Sequence, residues 1–276
     1  MQRILTAIVL IAAVVLVLFR APVWLLSSIA ALVAALALFE YVRLANARSG
    51  RVSLWFVIPA GLLLFWLPPS HHMTLVTLLA LGLLAWASFT QTAERVLPSA
   101  AYGIFGLLWI AYPLALLTQM RVDAGAPMVL FLFVVVWSGD IAALYIGKRF
   151  GRRKLAPSLS PNKTWAGSIA SVVGSVFFGM ALVIGGNLYN YYTGNSTLVF
   201  MQSYSWLAFL AVLVNIAAQI GDLIESAVKR GAGVKDSGSI LPGHGGMLDR
   251  IDALLLAAPV LWYALQVKEY FRFGGF

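Results

Sequence analysis

Cysteine is absent from the 276-residue chain, so disulfides and thiolate-held metals are excluded. Charge is scarce as well. Asp, Glu, Lys and Arg make up 11% of the residues, against roughly 25% in soluble domains. No soluble domain, low-complexity tract or clear internal repeat is visible, and no linker separates independently folding units. What fills the chain is apolar: 61% hydrophobic residues and a mean hydropathy of +0.90 describe an integral membrane protein.

Apolar stretches of about 17 to 25 residues predict an all-α, polytopic protein of about nine transmembrane helices, near 4–19, 22–39, 53–68, 72–89, 99–120, 126–146, 165–188, 205–228 and 251–267. The first stretch follows Arg3 and is rich in small residues, as a secretory signal would be. A second apolar run follows within a few residues without a clear cleavage site, which favours a membrane span. The basic residues sort by side. Fifteen of the 19 Lys and Arg fall on the side of the N-terminus, which by the positive-inside rule is cytoplasmic, with the C-terminus outside. The net charge of +9 then reflects topology and lipid headgroups, not nucleic acid. The expected division is a scaffold of about five spans over 1–125, with a role in dimerisation open to it, and a catalytic region of about four spans over 126–276 with two basic cytoplasmic loops.

A charged group inside a bilayer is costly unless paired or hydrated. Six of the ten acidic residues nevertheless gather on one side: Asp140, Asp222, Glu225, Asp236, Asp249 and Asp252. Asp140 and Asp222 each precede a basic cluster, at Lys148 and Lys229, by about seven residues, which places both roughly 10 Å below the cytoplasmic helix ends. Glu225 shares a helix face with Asp222, and Asp252 with Asp249, by their i, i+3 spacing. Taken singly, an intramembrane Asp can be a helix-packing hydrogen-bonder, and Asp249 an N-cap. Asp140, Asp222 and Asp249 together at one depth repel unless cations hold them. A hard divalent ion with oxygen ligands, Mg²⁺ on this reading, would do so.

The loops supply the complement. "GKRFGRRKLAPSLSPNKTWAG" (147–167) holds six basic residues, no acid, and Ser160 and Asn162 beside Lys163. "KRGAGVKDSGSILPGHGG" (229–246) combines Lys229, Arg230 and Lys235 with glycines that let backbone N–H groups approach an anion. His244, flanked by Gly243, Gly245 and Gly246, reads as facing a ligand. Basic groups, glycines and a metal site describe a phosphate-rich substrate.

Ser226, Lys229, Arg230, Lys235, Asp236, Pro242, His244, Gly245, Gly246, Asp249, Arg250 and Asp252 stand in a register that resembles the signature of the phosphatidate cytidylyltransferases, also called CDP-diacylglycerol synthases. The stretch "SGDIAALYIGKRFGRRKLAPSLSPNKTW" is similar to a second segment of that family. The resemblance covers roughly residues 130 to 255. It implies that the phosphate of phosphatidic acid attacks the α-phosphorus of CTP, giving CDP-diacylglycerol and pyrophosphate, with Mg²⁺ as cofactor and a second, monovalent cation left open. It also implies a homodimer in the inner (cytoplasmic) membrane with its site toward the cytoplasm. On this reading Asp222, Asp249 and Asp140 hold metal. Lys229, Arg230, Lys235 and Arg250 contact the triphosphate. Ser160, Asn162 and Lys163, together with Ser226, Gly245 and Gly246, bind substrate, and Asp236, His244 and Asp252 order the loop. Two departures stand out: Ala142 and Leu144 replace the family's usual Gly and Tyr, with Tyr145 adjacent, and Ala166 replaces a common Glu or Gln. A CTP-dependent lipid kinase would use similar groups to transfer the γ-phosphate. An ion-coupled transporter would place its carboxylates nearer the midplane.

Overall fold

The computed structural model describes residues 2–48, 51–240 and 245–272. It is a bundle of helices: α1 (Gln2–Arg20), α2 (Val23–Arg48), α3 (Leu54–Leu63), α4 (His72–Thr90), α5 (Ala93–Gly106), α6 (Tyr112–Asp123), α7 (Gly125–Phe150), α8 (Trp165–Thr193), α9 (Tyr204–Gly231) and α10 (Leu248–Arg272). A π-helical turn over Leu107–Ala111 joins α5 to α6 in one rod. Among the described residues seven helices are long and apolar enough to cross a membrane, so the protein is multi-pass, but the expected count of nine is not reproduced as nine long helices. The third expected span, 53–68, contains a helix of only ten residues, α3. At 1.5 Å per residue that is about 15 Å, half a hydrocarbon core. The chain turns over Leu64–Trp66 and meets Pro68 and Pro69, which lack the N–H to continue. The first expected span is helical in α1, of which Ile11–Arg20 counts as a shorter apolar helix.

Among the described residues one small β hairpin interrupts the all-α pattern. Strands β1 (Lys154–Ala156) and β2 (Ser160–Thr164) pair antiparallel, Lys154 opposite Thr164 and Ala156 opposite Ser160, and fold the basic loop between α7 and α8 into a hairpin. Thr164 ends that hairpin and starts α8, its hydroxyl accepting from the Gly167 N–H at 3.2 Å, which satisfies one of the helix's orphan donors.

Helices α7 and α8 pack closely because α8 presents small residues toward its neighbour. Gly167, Ser171, Ser175, Gly179, Val183 and Gly186 are buried at near four-residue spacing, the pattern that lets membrane helices approach. Two apolar clusters result. One joins α7, α8, α9 and α10 through Phe131, Leu132, Val135, Leu210, Val214 and Leu261. The other joins α2, α3 and the π turn through Leu38, Tyr41, Leu107 and Ile110. Helix α10 serves both, with Ala257 and Leu261 in the first and Leu248, Ile251 and Leu255 in the second. The helix is therefore held from two sides.

Candidate active site

The end of α7, the β hairpin, the start of α8 and the end of α9 surround a cavity of about 560 Å³, within the roughly 300–1,000 Å³ typical of small-molecule sites. Its wall includes Asp140 and Lys148 from α7, Lys154 from β1, Asn162 and Lys163 from β2, Ser168 from α8, and Gln219 and Asp222 from α9. Three lysines and two aspartates thus face one space. Lys163 Nζ lies 2.6 Å from Asp222 Oδ2, and Asp140 is near enough to Asp222 for the two anions to repel. Gly147 and Gly151 keep the hairpin close to α7. A Cβ on Gly151 would run into Gly147 O and the Thr164 side chain.

Behind Asp222, one turn along α9 and one turn into α10, the carboxylates of Asp222, Glu225 and Asp252 present oxygens within 4.8 Å of one another. Glu225 is fully buried. Its Oε2 pairs with Lys229 Nζ at 2.6 Å, while among the described residues its Oε1 has no hydrogen-bond donor. A buried anionic oxygen without a donor is costly, and three carboxylates at this spacing are a natural ligand set for a hard cation.

Asp249 is differently committed. Its Oδ1 takes Lys229 Nζ at 2.6 Å, and its Oδ2 accepts from Ser237 N at 3.0 Å and Gly246 N at 2.9 Å. It therefore holds the loop between α9 and α10 against the start of α10. Gly245 takes a left-handed backbone, φ +79°, and a Cβ there would sit 3.1 Å from Asp249 Oδ2. Glycine is what lets the chain pass at this point. Arg230 is spent on the same loop and on the hairpin, with Nε 3.4 Å from Leu159 O and Nη1 3.1 Å from Val234 O.

The residues expected from the sequence thus fall into three groups. Asp140, Asp222, Asn162 and Lys163 share the cavity wall. Lys229, Asp249, Gly245, Gly246 and Asp252 gather around the first turn of α10, and Ser226 Oγ lies 3.5 Å from Asp222 Oδ1 between the groups. Lys235, Asp236 and Arg250 are exposed, and Ser160, on β2, does not line the cavity. His244 lies outside the described residues. Sequence reasoning passed over Lys148, Lys154, Ser168 and Gln219 as individual wall residues. It also passed over Glu40, a buried carboxylate on α2 that reaches the same loop. Its signal was present: a lone acid inside an apolar helix asks for a partner.

The sequence profile described as the cytidylyltransferase family matches residues 1–268. The chain is 43% identical over 159 residues to a phosphatidate cytidylyltransferase of Brucella suis, an alignment covering 57% of this chain and 54% of that relative. It is 33% identical over 202 residues to one of Rickettsia felis, covering 72% and 83%, and 30% identical over 296 aligned positions to one of Haemophilus influenzae, covering 95% and 97%. The alignment thus spans about half the length of the Brucella relatives and nearly all of the Haemophilus one.

Proposed function

Because this chain belongs to the cytidylyltransferase family, we propose that it transfers the CMP group of CTP to phosphatidic acid, forming CDP-diacylglycerol and pyrophosphate. The observation that carries the reading is the carboxylate group Asp222, Glu225 and Asp252 set directly behind a cavity lined by Lys148, Lys154 and Lys163. In the reaction a phosphate oxygen of phosphatidic acid bonds to the α-phosphorus, and the bond from that phosphorus to the oxygen bridging it to the β-phosphate breaks. The nucleophile is already an anion, so no Ser or Cys nucleophile and no general base are needed. The work left to the protein is positioning and charge stabilisation.

The lysines of the cavity draw in and orient phosphate groups. Lys163, paired with Asp222, sets the spacing between the phosphate-binding wall and the carboxylates. Lys229 has three N–H donors, of which Glu225 and Asp249 engage two, leaving one for a phosphate oxygen. Asn162 and Ser168 offer neutral hydrogen bonds from the same wall. Mg²⁺ fits the donor set of Asp222, Glu225 and Asp252, three carboxylates with oxygens within 4.8 Å of one another, and when bound it would supply Lewis-acid stabilisation of the departing pyrophosphate.

The proposal places the site at the cytoplasmic face of the inner membrane, because the loop 147–167 and the segment 229–250 beside the site together carry ten of the chain's 19 Lys and Arg. There CTP arrives from water and phosphatidic acid from the bilayer. It also includes a homodimer, checked by cross-linking in native membranes. Purified protein given α-labelled CTP and phosphatidic acid is expected to release pyrophosphate and label the lipid, only with Mg²⁺. Release of CDP with a lipid acceptor would instead identify a CTP-dependent kinase.

A further inference from the structure

Glu40 is used by none of the chemistry above. It sits in α2 eight residues before Arg48, about 12 Å in from the helix end, and is 2% exposed. Its partners are two hundred residues away in the chain. Oε1 accepts from Met247 N at 3.0 Å, and Oε2 accepts from Leu248 N at 2.9 Å and from Ser237 Oγ at 2.9 Å. Met247 and Leu248 are where the returning loop becomes α10, and the first N–H groups of a helix have no partner of their own. Leu248 is buried, so its N–H needs a partner within the protein, and the partial positive charge of these N–H groups favours an anion. The loop is shaped around this carboxylate: a Cβ on Gly238 or Gly246 would collide with the Glu40 side chain. Ser237 Oγ is also 3.0 Å from Asp249 Oδ2. One hydroxyl therefore separates Glu40 from Asp249, and Asp252 follows one turn later on the same helix.

We propose that Glu40 is a positioning residue for the transferase site, fastening Ser237 and Gly238 to Gly246–Leu248 and the first turn of α10 from the second helix, so that Asp249 and Asp252 stand correctly against Asp222. The idea rests on the proposed reaction for its kinetic consequence but not for its structural one. A glutamine at 40 is isosteric but turns an N–H₂ donor toward backbone N–H donors. An aspartate keeps the charge one methylene short.

The test uses the full chain in lipid nanodiscs as wild type, Glu40→Gln, Glu40→Asp and Ser237→Ala, with Glu94→Gln, an exposed acid on α5, as control. Amide hydrogen exchange over 237–252 and steady-state release of pyrophosphate are measured on the same samples. Glu40→Gln is expected to raise exchange in that segment about tenfold and to lower kcat about 10- to 100-fold, the scale of a 1 Å misplacement, with KM for CTP within about twofold. Glu40→Asp recovers part of both, and Ser237→Ala shows a smaller version of both. A merely structural role would lower the folded fraction and leave kcat per folded molecule unchanged, and that result overturns the proposal. So does wild-type exchange over 237–252 in Glu40→Gln. If wild type releases no pyrophosphate, the proposed reaction fails, and the exchange data still decide whether Glu40 holds the loop. Should Glu40→Gln not fold, Ser237→Ala, which deletes only a hydroxyl, decides by the same two readings.

Discussion

Lys163 Nζ lies 2.6 Å from Asp222 Oδ2, joining strand β2 to helix α9 across the wall of the cavity. Both side chains are partly open, 24% and 35% exposed, so the pair contributes only about 0–1 kcal/mol to stability. Its importance is where it holds a cation. Lys163→Met is expected to melt within about 2 °C of wild type and to lower kcat/KM for CTP about 100-fold. Thermal melts and steady-state kinetics on one preparation check this. A parallel loss of melting temperature and activity would make the pair structural.

The carboxylates divide by what already binds them. Asp222 and Asp252 belong to the group within 4.8 Å, whereas both oxygens of Asp249 accept from Lys229, Ser237 or Gly246. Asp222→Asn and Asp252→Asn are expected to cut kcat by about 100-fold or more and to raise the half-saturating Mg²⁺ concentration. Asp249→Asn is expected to be as inactive, but with no rescue by excess Mg²⁺. Chelation with EDTA should abolish wild-type activity reversibly. Titrations of activity against Mg²⁺ separate the two classes, and rescue of Asp249→Asn would return that residue to the ligand set.

Much of this arrangement was legible because it is local. Asp222 and Glu225 are one turn apart, as are Asp249 and Asp252, and the basic runs mark the helix ends beside them. Helices α7 to α9 follow the expected spans closely, since uninterrupted apolar runs of that length have no other way to satisfy their backbone in lipid. The rest depends on contacts that sequence spacing does not encode. Glu40 finds its donors at Ser237, Met247 and Leu248, and nothing near it in the chain names them. Hydropathy also measures apolarity and not helix continuity, so 53–68 looked like a span although α3 stops at Leu63. The hairpin was hidden in a polar loop whose strands are three and five residues long.

Gly139 on α7 faces a buried polar group between α8 and α9. Asn215 Nδ2 donates to Ser171 Oγ at 2.9 Å and Ser175 Oγ at 2.7 Å, and its Oδ1 accepts from Gln219 at 2.7 Å. A Cβ on Gly139 would overlap Asn215 and both serines. Alanine gains about 0.8–1 kcal/mol of helix propensity over glycine, but overpacking costs about 1–3 kcal/mol, and broken hydrogen bonds add to the cost. Gly139→Ala is therefore expected to melt several degrees lower. Gly185→Ala on α8, where a Cβ meets nothing within 4 Å, should melt at or above wild type. Differential scanning measurements in one detergent give both signs.

Lys229 stands between Glu225 and Asp249, 2.6 Å from an oxygen of each, with side-chain exposures of 13%, 1% and 9%. Removing one partner of a buried ion pair strands the other charge and costs about 3–5 kcal/mol, so Lys229→Met is expected to be strongly destabilised. Adding Glu225→Gln removes the carboxylate that has no other donor among the described residues, whereas Asp249 keeps Ser237 and Gly246. The double variant should therefore regain more than half of the lost melting temperature. It should stay about 100-fold or more below wild type in kcat, because it lacks both the Lys229 cation and one carboxylate of the proposed Mg²⁺ set. Recovery of activity along with stability would instead mean that Lys229 serves only to neutralise its two neighbours and that Glu225 is not needed in the Mg²⁺ set.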